Sequence, residues 1–173
     1  RGDLAHWGQQ LPAFVQAHPQ LQGEPFLPDL ARLEWLLHQS ASAADAQADP
    51  ASFELLSTHE PGHLRLRLAP GCALLPSAWP IVSLWAAHQS PGAPDLRGAH
   101  AQLQARQGEC ALVWRNGFKP QTRHAPHQEA AWLQALLQGQ TLPAALDAAG
   151  DFDFGAWLSQ AVQSALVLGV CAV

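Results

Sequence analysis

The strongest constraint on the fold lies in residues 110–124. Residues 110–115 are an apolar run, Asn116-Gly117 follows, and residues 118–124 return with polar and basic side chains. Asn and Gly both tolerate positive φ, so this dipeptide predicts a hairpin turn between two antiparallel strands. Three helical stretches are expected next: residues 126–138 ending at Gly139, a short helix capped by Thr141 with Pro143 in its first turn, and residues 154–168 ending at Gly169. A hairpin followed by three helices predicts a winged-helix-like unit over residues 109–173.

The first third has helical spacing. Over residues 3–17, Leu4, Trp7, Leu11, Phe14 and Val15 recur with a helical period, and Pro12 is expected to kink or restart the helix. Pro28 suits the first turn of a longer helix running to about Ala44, with Leu30, Leu33 and Leu37 as its stripe. Asp49-Pro50 predicts a cap and first turn for a short helix through Leu56. At Pro61-Gly62 the period changes: Leu64, Leu66 and Leu68 alternate with Arg65 and Arg67, the mark of a half-buried strand. Leu74-Leu75 is expected to continue that sheet, and residues 81–87 to form a short apolar helix or strand. Residues 90–108, rich in Pro, Gly, Ala and Gln, suggest a loop with at most a weak helix. The expectation is an α+β protein: a helical region 1–60, strands, a short helix and a linker over 61–108, and the winged-helix-like unit 109–173.

A 173-residue chain with 48% hydrophobic content can bury a core without disulfides. Cys72, Cys110 and Cys171 are odd in number and far apart, which fits reduced thiols and a cytoplasmic location. Nine Lys and Arg against a net charge of -5 give no clustered cationic footprint, which disfavours nucleic acid. No apolar run of membrane-spanning length occurs. The chain starts Arg1-Gly2-Asp3 and contains no Met, so a longer parent protein is expected.

His59-Glu60-Pro61-Gly62-His63 has the letters of a zinc-protease helix. Pro61 and Gly62 would break that helix, and the two imidazoles would lose their shared face. His124 and His127 lie close together but lack a third ligand nearby in sequence. No nucleophile elbow or phosphate-cradling glycine loop is present. Asp151 and Asp153 fit N-capping of the last helix better than acid–base catalysis. These readings predict a non-catalytic protein with no catalytic residue, no metal ligand and no cofactor.

After Glu109 the only basic residues are Arg115, Lys119 and Arg123, all on the hairpin and none on the three helices. A DNA-reading helix would carry cations, so the hairpin points instead to an extended acidic peptide added as a strand. Trp114 or Phe118 would supply an apolar pocket; the alternative is that both are core residues and the three cations a solvated face. Reversing all three charges is expected to weaken acidic-peptide binding without unfolding the protein.

Five segments occur in a familiar order: Phe26-Leu27-Pro28-Asp29-Leu30-Ala31-Arg32-Leu33-Glu34-Trp35, Ala43-Ala44-Asp45-Ala46, Leu64-Arg65-Leu66-Arg67-Leu68-Ala69-Pro70, Trp79-Pro80-Ile81-Val82-Ser83-Leu84-Trp85 and Leu112-Val113-Trp114-Arg115. Together they resemble the HvfC/BufC family, some members of which have carried a DNA-binding label. The resemblance implies a companion protein of a multinuclear non-haem iron enzyme that oxidatively modifies cysteines in a ribosomally made precursor peptide, as in methanobactin and bufferin pathways. Such a companion holds no catalytic metal. It binds the enzyme and presents the precursor leader through a peptide-recognition element.

Carried onto this chain, the resemblance puts the peptide on strands 110–115 and 118–124 and the helix around Trp157. Gln121 joins Trp114, Arg115, Phe118, Lys119, Arg123 and Trp157 as a peptide contact. Arg32 and Glu34 either pair and fix the long helix or face the enzyme. The family's N-terminal helical domain is expected to lie outside this sequence, and Tyr is absent where relatives often carry aromatic hydroxyls. A DNA-binding transcriptional regulator is the main alternative, and a metal-handling or enzymatic domain the second.

Overall fold

The computed structural model describes residues 8–89 and 96–173. It is an α+β fold of helices packed on small antiparallel sheets, beginning with a helical part. The expected helical positions Leu4 and Trp7 lie outside the described residues. Helix α1, Leu11–Ala17, carries Pro12 in its first turn, so the proline starts this helix instead of kinking it. Helix α2, Leu27–Ala41, likewise has Pro28 at its start and Asp29 in the first turn, and buries Leu33, Leu37 and Ser40 along one stripe. A 3-10 turn, Pro50–Glu54, leads into the short helix α3, Leu55–Thr58, and Asp49 caps the turn by accepting from the Ser52 N–H at 3.3 Å. Pro61–His63 form another 3-10 turn, so His59 and His63 do not share a helical face.

Strand β1 is Leu64–Leu68 and β2 is Ala73–Ser77, but the two belong to different sheets. Gly71, at φ +75°, turns the corner between them; a Cβ there would come within 2.9 Å of Ser40 Cα at the end of α2. Helix α4, Ile81–His88, follows, capped from a distance: Glu109 accepts from the N–H groups of Val82 at 2.7 Å and Ser83 at 3.1 Å. Helix α5, Leu96–Gln104, is a full element where a loop with a weak helix is expected; Ala99 is buried on it, and its packing partner is α4.

Strands β3, Glu109–Asn116, and β4, Lys119–His124, form the hairpin, and β3 is the middle strand of the β2-β3-β4 sheet. Both of its faces are covered, so residues 111–115 are buried without interruption. Leu112 and Trp114 point into the larger core with Trp132, Leu133, Trp157, Leu64 and Val170. Ala111 and Val113 point into a smaller core with Leu33, Leu37, Ile81 and Val82.

Helices α6, His127–Leu137, α7, Leu142–Ala149, and α8, Phe154–Gln163, match the three expected helices except at the end. The last one stops at Gln163, and residues 167–172, expected as its continuation, are strand β5, Val167–Ala172, paired antiparallel with β1. The helix ends because Ala165 adopts φ +58°, letting the Leu166 N–H reach the Ala161 carbonyl at 2.8 Å. Gly169 does not end a helix. It sits in β5 where a Cβ would lie 2.6 Å from Ser52 Oγ, and the 49–52 segment covers the strand's edge: Asp49 N–H donates to Leu168 O at 2.7 Å, and Val170 N–H to Ser52 Oγ at 2.9 Å. The winged-helix-like outline of 109–173 is thus modified: its sheet takes a third strand from β2, and its end returns to β1.

Candidate functional site

Asn116 pairs with Lys119, so the turn residues are Gly117 and Phe118, one position later than Asn116-Gly117. Gly117 has φ +60° and no non-glycine residue in the turn has positive φ, the pattern of a type II′ turn. The shift places Phe118 on the tip instead of the return strand, 85% exposed. Phe118 and Gly117 edge a crevice of about 290 Å³ with Pro70, Arg115 and Leu168.

Successive strand residues point to opposite faces, so the seven expected peptide contacts separate. Trp114, Lys119, Gln121 and Arg123 lie on the α6–α8 side. There Trp114 donates its indole N–H to Ser164 O at 2.9 Å, at the end of α8. The Arg123 guanidinium sits 5.9 Å from the Trp114 ring centre and grips Glu129 with two hydrogen bonds of 2.5 and 2.6 Å. Trp157 donates to the same carboxylate at 2.6 Å. Glu129 therefore ties β4 to α8, and its side chain is only 8% exposed. Trp157 is buried and meets Trp132 edge to face, with 5.4 Å between ring centres. Burial pushes the Cys110 thiol up, and the nearby Glu129 charge adds to it. Cys72, more deeply enclosed, is pushed up to about 12 by burial. All three cysteines are free thiols.

Arg115 is on the other face, committed to the end of α2. It donates to the carbonyls of Ala41, Ala43 and Ala44 at 3.4, 2.8 and 3.0 Å and pairs with Asp45 at 2.9 Å. The expectation of one three-cation surface is therefore corrected: Arg115 is a buried helix cap, Arg123 is neutralised by Glu129, and Lys119 alone is exposed with no ion-pair partner among the described residues. Reversing all three charges would damage the fold, because Arg115 holds the backbone carbonyls past α2 and Arg123 neutralises buried Glu129.

The edge of β4 is the remaining resource. Ala125 N–H donates to Cys110 O at 2.8 Å, and alternation along the ladder then points the backbone groups of Gln121 and Arg123 towards β3. Pro120, Thr122 and His124 face outward. The Pro120 carbonyl accepts from Gln121 Nε2 at 3.0 Å and the His124 carbonyl from Arg123 Nη1 at 3.1 Å. The Thr122 N–H and C=O and the His124 N–H have no hydrogen-bond partner among the described residues.

Arg32 and Glu34 do not form an ion pair. Two residues apart on a helix they cannot face each other; Arg32 instead pairs with Asp29 and donates to Gln16 Oε1 at 3.1 Å. Arg32 lines a crevice of about 380 Å³ with Gln16, Leu21 and Pro25, while exposed Glu34 borders a separate groove with Val15 and Leu30. Among the described residues no group of three or more His, Cys, Asp or Glu side chains could hold a metal ion, and no helix is long and apolar enough to cross a membrane. Asp153 caps α8 by accepting from the Ala156 N–H at 3.0 Å.

No family model matches the chain, and no curated protein or solved structure matches it. Glu129, Asp45 and Thr122 are the site residues that the sequence reading missed. Only Glu129 leaves a trace in the letters, as an acid on the same helical stripe as Trp132, Leu133 and Leu136.

Proposed function

We propose that the chain is a non-catalytic, cytoplasmic partner that binds the leader of a ribosomally made precursor peptide and a multinuclear non-haem iron enzyme. One observation carries the peptide half of this reading: β4 is a sheet edge with free backbone groups at Thr122 and His124. Beside it the Trp114–Arg123–Glu129–Trp157 cluster is held rigid, so strand addition requires little reorganisation. Exposed Lys119 and Phe118 lie at the hairpin tip, where a strand added to β4 would meet one cation and one aromatic ring. The enzyme half rests on the family resemblance, with Arg32, Glu34 and the crevices around them as the interface. Arg123 is paired with buried Glu129, and Arg115 is itself buried and bonded to Asp45 and nearby backbone carbonyls, which leaves little free cation for a phosphate backbone and weighs against DNA.

Two measurements test it. Co-purification with a multinuclear non-haem iron enzyme from the same cells is expected, together with calorimetric binding of the leader of that enzyme's precursor peptide. Lys119→Glu should weaken binding of an acidic leader about fivefold while leaving the thermal midpoint in place. Tight binding of operon DNA at physiological salt, with neither enzyme nor precursor retained, would overturn the reading.

A further inference from the structure

We propose that the outer edge of β4 pairs antiparallel with β4 of a second copy, about a two-fold axis through Thr122. The outward groups form a self-complementary set. With Thr122 opposite Thr122, each N–H donates to the other's carbonyl. The same register puts His124 opposite Pro120 of the second copy, so the His124 N–H meets the Pro120 carbonyl on both sides of the axis. Pro120 has no N–H to return, and the acceptor this would strand, the His124 carbonyl, already accepts from Arg123 Nη1 at 3.1 Å. Sliding the strands by two residues one way would set Thr122 opposite Pro120 and leave the Thr122 carbonyl without a donor, and the other way would set Arg123 opposite Arg123.

Side chains fit the same register. Arg123 falls opposite Gln121 of the second copy and Lys119 opposite its Ala125, so no like charges face each other. Phe118, 85% exposed, falls opposite exposed Pro126 of the second copy, where each covers the other's apolar surface. Three outward residues per strand make a short interface, so the expected dimer is weak and concentration-dependent. The pairing does not rest on the peptide reading. If that reading holds too, peptide and second copy exclude each other, and a bound leader converts dimer to monomeric complex.

The experiment uses the full chain without peptide. Sedimentation equilibrium over micromolar to millimolar concentrations should show a monomer–dimer equilibrium. Thr122→Pro should raise the dissociation constant at least about tenfold, and Phe118→Ala several-fold. Amide exchange by NMR should slow at Thr122 and His124 as concentration rises, while Gln121 and Arg123, already bonded to β3, keep the same rate. That measurement on the unaltered chain decides the matter if Thr122→Pro does not fold. A chain that stays monomeric, exchange at Thr122 and His124 that ignores concentration, or a dimer indifferent to either substitution would overturn the pairing.

Discussion

The hairpin sends one arginine to each face of its sheet, and the two ion pairs are inverted copies. On the α2 face Arg115 is the buried member, its side chain 8% exposed, and Asp45 is 78% exposed. On the α8 face the acid is buried, with Glu129 at 8% and Arg123 at 41%. What stabilises each site therefore differs. Arg115 is satisfied mainly by the carbonyls of Ala43 and Ala44 just past the end of α2, with the Ala41 carbonyl of the helix itself at 3.4 Å, and its carboxylate partner is a solvated addition. Glu129 has no such backbone support and depends on two side-chain donors, Arg123 and Trp157. The same pair of residue types thus gives a helix cap on one face and a tie between β4 and α8 on the other.

Removing the buried member should cost most. Glu129→Ala leaves Arg123 without its counter-ion and the Trp157 N–H buried without an acceptor, and should lower the unfolding free energy by about 3 kcal/mol in denaturant titrations. Arg115→Ala frees the last carbonyl of α2 and those of Ala43 and Ala44 just beyond it, and should cost about 2 kcal/mol, less because water can reach them next to exposed Asp45. If the order of these two reverses, the contrast between a helix cap and a tie is wrong.

The α8 side should also be the alkaline weak point, because Cys110 lies beside Glu129 and Cys72 packs against the same core. Both thiols are raised in the fold from the ordinary 9.0, Cys72 to about 12, so the folded state holds protons that the unfolded chain releases. Stability is therefore full below about pH 9 and falls as pH rises towards 12, by at most about 1.4 kcal/mol per pH unit for each thiol. Cys72→Ala should flatten that slope in unfolding curves measured between those limits; an unchanged slope would separate the loss from this thiol. The smallest effect belongs to the exposed acid: Asp45→Ala should change stability by less than about 0.5 kcal/mol, and salt should erase most of it.

Much of this was legible where the signal is local. Pro28 at a helix start, Asp153 as a cap and Gly139 at φ +74° after α6 are short-range chemistry, and each lies where the residues predict. The misreadings share a physical cause. Helices α6 and α8 both end by turning one residue left-handed, but α6 uses Gly139 and α8 uses Ala165, whose letter gives no stop signal. Read without that stop, the helix runs on to Gly169, a glycine placed by the approach of Ser52 from 117 residues earlier in the chain. The hairpin's existence followed from its turn letters, whereas its register was set one residue later by the ladder.

By itself the sequence determined the α+β character, the hairpin, the order of the helices and the confinement of the C-terminal cations to that hairpin. Those depend on period, turn chemistry and composition, which act over a few residues. The tertiary structure decided which cations remain free. Arg115 meets Ala43, Ala44 and Asp45 across some 70 positions of chain, and Arg123 meets Glu129, six residues on, where the chain turns from β4 into α6 and Trp157 of α8 arrives at the same carboxylate. Charge is written in the letters, but its neutralisation depends on which residues the fold brings within hydrogen-bonding distance.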